Sequence, residues 1–161
     1  MTAAVHRLNH AVLYVRDVER SVAFYRDLLG FDVVQSFPGA AFLRAEGSRN
    51  DHDLGLFQVG NRPASPQGTP GLYHLAWQVD TLVELATLRA ALAAAESLVG
   101  ESDHGVSKSL YAVDPDGIEF EVMWAVPRSD WPTDGAMTRR LDLDAELSRW
   151  ADTPTLAELA G

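Results

Sequence analysis

Two histidines occupy matching places in the two halves of this 161-residue sequence, and a glutamate in the second half corresponds to a glutamine in the first. His10 lies two to three residues into the first strand-like run of the first half, and His74 lies at the matching place in the second half. Gln58 follows His10 by 48 residues, and Glu121 follows His74 by 47 residues. We therefore predict an internal repeat in which Gln58 and Glu121 are equivalent positions.

These residue types suit one kind of metal chemistry. Two imidazoles and one carboxylate, with other coordination positions open, are typical of non-haem Fe(II) oxygen chemistry. We predict that His10, His74 and Glu121 bind Fe(II), and Mn(II) would fit the same ligands. Zn(II) would accept them with fewer open positions. Because a single strand histidine is more often a core residue, it is the joint placement of the three that favours a metal site.

The strand that carries Glu121 has a second carboxylate. Glu119 lies two residues earlier in "GIEFEVMW", so both side chains face the same way. If Glu121 points inward as a ligand, Glu119 lies about 7 Å further along the strand. We expect Glu119 at the rim of the site, in contact with solvent.

Each half of the sequence predicts a strand, a helix and three more strands. In the first half, a strand over Leu8–Val15 precedes a helix with apolar residues at helical spacing. Asp17 is the expected N-cap of that helix and Gly30 its terminating residue. The stretches "FDVVQSF", "AAFLRAEG" and "DLGLFQVG" predict the three following strands.

The second half repeats this order. A strand over Leu72–Val79 precedes a helix in which Thr81 and Glu84 stand in capping-box positions. A short strand is expected near Val99, and two further strands meet at the turn "DPDG".

These elements predict an α+β fold in which two tandem βαβββ modules form a cupped mixed sheet around the metal site. We predict one domain over residues 1–161, with module 1 at about 7–60, a linker at 61–71, module 2 at about 72–125 and a C-terminal extension at 126–161. The extension predicts a short helix that starts near Asp142 or Asp144 and packs through Leu143, Leu147 and Trp150. The linker is long enough for the modules to pair within one chain or between two chains.

Composition narrows the function classes. The net charge of −10 repels nucleic-acid phosphates and anionic lipids, so neither is an expected partner. The absence of cysteine excludes disulfides, thiolate nucleophiles and zinc–thiolate sites. No apolar run suggests a membrane span or a signal-peptide core, and we expect a cytoplasmic enzyme or binding protein.

Two other side chains, His104 and Tyr111, could take part in proton transfer. His104, followed by Gly105, lies just before the strand that carries Tyr111. It is either an ordinary turn histidine or an acid–base group at the mouth of the cup. Tyr111, ten residues before Glu121 on the neighbouring strand of a hairpin, would bring its hydroxyl near the metal. His52, in the polar stretch "RNDHD", is expected to be exposed.

Three stretches of the sequence resemble one known family. "LNHAVLYVRDVERSVAFYRDLLGF", "LYHLAWQVDTLVEL" and "SDHGVSKSLYAVDPDGIEFEV" are similar to the vicinal oxygen chelate superfamily, over residues 7 to about 125. This superfamily includes glyoxalase I, bleomycin and fosfomycin resistance proteins and type I extradiol dioxygenases. The "DHGVS" stretch and the tail "MTRRLDLDAEL" most resemble members of the catechol 2,3-dioxygenase type.

The resemblance implies an Fe(II)-dependent extradiol dioxygenase that cleaves an aromatic diol with dioxygen. It implies that His10, His74 and Glu121 are the ligands and that His104 and Tyr111 assist cleavage. Candidate apolar walls for the substrate, each equally consistent with core packing, are Phe42, Phe57, Trp77 and Trp124. The resemblance also implies a homodimer, with Trp131, Trp150 and the tail as candidate interface residues.

Three features separate this chain from relatives within the superfamily. Ile118 stands where an asparagine usually follows "DPDG", and larger extradiol enzymes have two such domains. Glyoxalase I usually has a ligand glutamate at the place assigned to Gln58, which counts against an isomerase. Two alternatives remain open: another metal-dependent enzyme, such as an isomerase, epimerase or thiol transferase, and a small-molecule-binding resistance protein.

Overall fold

The structure is a computed structural model that describes residues 3–64, 68–135 and 137–159. The chain divides into two compact units, Met1–Ser65 and Pro66–Gly161. Each unit contains one four-stranded mixed sheet, and the α+β prediction of two βαβββ modules is confirmed. None of the described helices is both long and apolar enough to cross a lipid bilayer.

The first unit contains one helix and four strands. In chain order they are β1 (Ala11–Val15), α1 (Val18–Leu29), β2 (Asp32–Phe37), β3 (Ala40–Arg44) and β4 (Leu54–Gln58). The strand order is β1-β4-β3-β2, and only the β1–β4 pair is parallel. The first and last strands of the module are therefore neighbours, and His10 directly precedes β1.

Helix α1 has the ends that the sequence predicts. The Asp17 carboxylate accepts a hydrogen bond from the Arg20 amide at 3.0 Å, and Gly30 ends the helix with a φ of 73°. The helix packs on β3 and β4, and Leu54 and Leu56 on this face are fully buried. Because side chains alternate along a strand, the opposite face of the sheet is left more open.

The second unit repeats the topology. Its elements are β5 (Leu75–Gln78), α2 (Leu82–Ala94), β6 (Leu98–Asp103), β7 (Ser107–Val113) and β8 (Glu119–Ala125). The strand order is β5-β8-β7-β6, again with the first and last strands parallel. Thr81 and Glu84 form the predicted capping box. At the β7–β8 turn, the Asp114 carboxylate accepts hydrogen bonds from the amides of Asp116 and Ile118, at 2.8 and 2.9 Å.

The C-terminal segment packs on this second unit. It contains a 3-10 turn at Arg128–Asp130 and two helices, α3 (Leu143–Trp150) and α4 (Leu156–Leu159). The predicted short helix is confirmed, with Asp142 as its N-cap. The Trp150 ring, considered above for a dimer interface, lies 5.6 Å from the Trp124 ring within the same unit.

The predicted equivalence of Gln58 with Glu121 is wrong. Val12 and Ala76 each lie two residues after a predicted ligand histidine. In the parallel strand pairs, Val12 lies opposite Gly55 and Ala76 lies opposite Glu121. Gln58 has a structural contact instead, since its side-chain oxygen accepts a hydrogen bond from the Val18 amide at 3.2 Å. The error arises because sequence spacing cannot show the register of two strands that are far apart in the chain.

Removal of a buried side chain from α2 tests the packing of the second sheet. Leu85 is fully buried, whereas Val83 on the same helix is 41% exposed. We expect Leu85→Ala to lower the free energy of unfolding by about 2–5 kcal/mol, because it leaves a cavity. The control Val83→Ala should change it by no more than about 0.5 kcal/mol. Urea unfolding of both variants measures this, and equal losses would contradict the packing described.

Candidate active site

His74 lies between two carboxylates in the second unit. Its Nε2 atom is 3.1 Å from Glu121 Oε2, and its Nδ1 atom is 3.8 Å from Glu119 Oε1. The contacts follow from the parallel pairing of β5 with β8, in which Ala76 pairs with Glu121. Both glutamates face the same way, as predicted. The Glu119 side chain is 16% exposed, so it keeps some contact with solvent but is more covered than a position at the rim suggests.

The donor atoms around His74 fit a divalent metal ion. Two ligand atoms that share an ion at right angles, with bonds of about 2.1 Å, lie about 3 Å apart, close to the observed separation of Nε2 and Oε2. The Nδ1 atom of His74 is buried and has no hydrogen-bond partner among the described residues. A ligand imidazole usually donates its second N–H to a carboxylate or carbonyl, and Glu119 is the carboxylate nearest to it here.

The third predicted ligand, His10, belongs to the first unit. Its side chain is exposed, and its Nδ1 atom lies 2.9 Å from Asn9 Oδ1. Within neither unit do the described residues bring three or more His, Asp or Glu side chains close enough to hold a metal ion. The structure thus brings together two of the three predicted ligands, and the role of His10 stays a prediction.

His52 is closer to His10 than the sequence suggests. The two rings are 4.5 Å apart, and the His52 ring also lies 4.9 Å from Phe42. The His52 side chain is only 17% exposed, with Nδ1 at 2.7 Å from the Asp51 carboxylate, so the expectation of an exposed turn is wrong. The parallel β1–β4 pairing starts at Ala11 and Leu54 and brings the residues just before each strand together. No local sequence signal shows this.

Tyr111 connects His74 to His104. It pairs with Glu121 across the β7–β8 ladder, and its ring centroid lies 5.8 Å from that of His74. Its hydroxyl oxygen lies 2.8 Å from His104 Nε2. The two residues predicted to assist catalysis are therefore in direct contact, next to two predicted ligands.

The surroundings of Tyr111 keep its hydroxyl protonated. Burial of the ring raises the pKa of this phenol above its ordinary value, and the negative charge of Glu121 raises it further. Both effects act in the same direction because each disfavours the phenolate. At neutral pH Tyr111 is therefore a hydrogen-bond donor.

The four candidate wall residues fall into two groups. Phe42 and Phe57 form an edge-to-face pair, with centroids 5.8 Å apart, in the first unit beside His52. Trp124 is fully buried and its indole N–H donates to backbone carbonyls of the tail and of the β5–α2 connection. Trp77 pairs with the buried Val122, so alternation places both tryptophans on the face of the sheet opposite Glu121. Trp124 is a core residue, and Trp77 is half-buried on the same face.

The fold and these residues match a known family model. Residues 7–122 match the model described as the Glyoxalase/Bleomycin resistance protein/Dioxygenase superfamily. The chain belongs to this superfamily. A glyoxalase/dioxygenase from Nostoc punctiforme superposes with a TM-score of 0.63 at 19% identity, over 79% of this chain and 99% of that one. At that identity the match supports the fold alone.

Two curated relatives are named as ring-cleaving enzymes. The catechol-2,3-dioxygenase of Bacillus subtilis (strain 168) is 34% identical over 79% of this chain and 44% of its own length. The manganese-dependent 2,3-dihydroxybiphenyl 1,2-dioxygenase of Geobacillus genomosp. 3 is 30% identical over 82% of this chain and 41% of its own length. The chain thus spans less than half the length of these two relatives.

Spectrophotometric titration of the phenols tests the environment of Tyr111. The absorbance titration curve of the wild type minus that of Tyr111→Phe should show a phenol that ionises above the ordinary tyrosine pKa. Glu121→Gln should lower that pKa toward the ordinary value, because it removes a negative charge that opposes the phenolate. A Tyr111 phenol that ionises at or below the ordinary value would contradict the buried site beside Glu121.

Proposed function

We propose that this protein is a metal-dependent extradiol dioxygenase that cleaves a catechol-type aromatic diol with dioxygen, using Fe(II) or Mn(II). One observation supports this most strongly. In the second unit, the Glu121 carboxylate and the His74 imidazole are placed to bind a metal ion, and they lie beside Tyr111 and His104, which can donate and accept protons. The names of the two curated relatives support the same reaction class.

His74 and Glu121 would hold the metal ion, with His10 as the third ligand. When bound, such an ion lowers the pKa of a diol hydroxyl and holds the two reactants side by side. Glu119 would accept the Nδ1–H of His74 after a small rotation, which fixes the orientation of the ring. This explains why a largely apolar strand sends two carboxylates to one face.

Tyr111 and His104 would carry out proton transfer to and from the substrate. Tyr111 is protonated at neutral pH, so its hydroxyl donates a hydrogen bond either to His104 or to a substrate oxygen. His104 Nε2 would accept a proton from the diol and return it later, since imidazole exchanges protons near neutral pH.

His52 is a second candidate for this proton transfer. Its imidazole stands 4.5 Å from that of His10 and is mostly covered. The nearby Phe42 ring would limit access of water to it. The Asp51 carboxylate would hold its Nδ1–H and leave Nε2 free to exchange a proton.

Anaerobic reconstitution with Fe(II) or with Mn(II), followed by catechol and oxygen, tests the proposed reaction. We expect metal binding near one ion per chain, oxygen uptake and a yellow ring-fission product. Glu121→Gln and His10→Ala should each abolish turnover and most metal binding. The matched control Glu119→Gln should weaken metal binding by only about 10–100-fold.

Two outcomes would contradict the proposal. Metal-dependent conversion of other substrates without oxygen uptake would indicate another reaction of the superfamily. Tight binding of small molecules without metal, and without turnover, would indicate a binding protein. If His10→Ala alone leaves metal binding unchanged, the reaction class stands and the third ligand is another residue.

The homodimer is a further proposal, which light scattering of the same preparations checks.

Paired histidine variants identify the proton-transfer group. We expect His104→Phe to keep its metal and to lose about 10²–10⁴-fold in kcat, because general acid–base groups contribute that much. His52→Phe is the matched comparison, since it replaces the other covered histidine with the same ring. If only His52→Phe loses turnover, the role belongs to His52. Unchanged turnover in both variants would remove both residues from the mechanism.

A further inference from the structure

The C-terminal segment reaches the turn that carries His104. The backbones of Asp103 and Arg139 exchange two hydrogen bonds, from the Asp103 amide at 2.9 Å and from the Arg139 amide at 2.8 Å. This antiparallel bridge extends the edge of the sheet at the end of β6. It places the Thr138 side chain beside His104, with Thr138 Oγ1 at 3.1 Å from His104 Nδ1.

The backbone of this turn is held by contacts that do not involve Thr138. Asp103 Oδ1 accepts hydrogen bonds from the Gly105 amide at 2.7 Å and from Lys108 Nζ at 2.6 Å. The His104 amide donates to the Ser107 carbonyl at 2.9 Å. Lys108 is 3% exposed and also contacts Glu146 of α3 at 3.3 Å. Thr138 is therefore not needed to form the turn, and its contact acts on the imidazole ring.

Each nitrogen of the His104 ring has one hydroxyl partner. Nε2 faces Tyr111 and Nδ1 faces Thr138. A neutral imidazole has one donor and one acceptor nitrogen. A phenol is a stronger acid than an aliphatic hydroxyl and therefore the stronger hydrogen-bond donor. The favoured arrangement has Tyr111 donating to Nε2, which places the ring proton on Nδ1, where the Thr138 oxygen accepts it. Thr138 is exposed, so its own hydroxyl proton remains available to water.

We propose that Thr138 is a positioning residue whose hydroxyl oxygen holds His104 in the Nδ1–H tautomer, with the Nε2 lone pair directed at Tyr111. The catalytic consequence rests on the function proposed above: a ring in the other tautomer cannot accept a proton through Nε2. The C-terminal segment thereby supplies a residue for the acid–base pair, although it lies outside the matched residues 7–122.

The test compares Thr138→Val, which keeps the shape of the side chain and removes its hydroxyl, with Thr138→Ser, which keeps the hydroxyl. Heteronuclear NMR of the His104 imidazole in the metal-free protein reports the tautomer directly. We expect the Nδ1–H tautomer in the wild type and in Thr138→Ser, and a mixture of both tautomers in Thr138→Val. Matching thermal unfolding of the three proteins shows that the fold is unchanged, and Thr138→Ala replaces Thr138→Val if that variant unfolds.

Kinetics of the metal-loaded proteins provide the second measurement. Loss of an orienting partner should lower kcat by about tenfold, with KM for the diol unchanged, and Thr138→Ser should restore kcat. A Thr138→Val protein that keeps the wild-type tautomer would overturn the proposal. If the tautomer shifts as expected but no variant, including the wild type, cleaves a diol, the positioning role stands and the proposed function fails.

Discussion

The parallel pairing of β5 with β8 is the constraint on which the candidate site depends. It sets Ala76 opposite Glu121 and thereby places the His74 ring within reach of two carboxylates. A slip of one residue in this pairing would turn both carboxylates toward α2 and bring the buried Phe120 to the open face. Phe120 and Val122 are each 1% exposed, and their burial stabilises the observed register. Packing on one face of the sheet therefore determines which side chains lie on the other face.

The contacts continue from that strand pair across the rest of the second unit. Tyr111 lies on the next strand, its hydroxyl meets His104 at the β6–β7 turn, and His104 meets the C-terminal segment. A buried lysine, Lys108, connects the same turn to α3. The tail is thus part of the structure that surrounds the Tyr111–His104 contact.

The two modules share a topology and differ in the chemistry of their open faces. At the place of Glu121, the first module has Gly55, and a Cβ there would lie 3.5 Å from the Phe42 ring. The first unit accordingly presents Phe42 and Phe57 together with two histidines, whereas the second presents carboxylates, an imidazole and a phenol. A duplicated fold therefore does not imply duplicated function, which depends on the side chains at each site.

The amino-acid sequence alone determined the features that depend on near neighbours. The Asp17 cap, the Thr81–Glu84 capping box and the order of strands and helices all follow from residues a few positions apart, because helix ends and turns are satisfied locally. The shared face of Glu119 and Glu121 follows from strand alternation in the same way. Only the tertiary structure decided three features: the register of β1 with β4, the partial burial of Glu119 and His52, and the contact of Thr138 with His104. These features join residues separated by long stretches of chain, and the burial of apolar side chains across the whole sheet, rather than any local signal, selects among the alternative pairings.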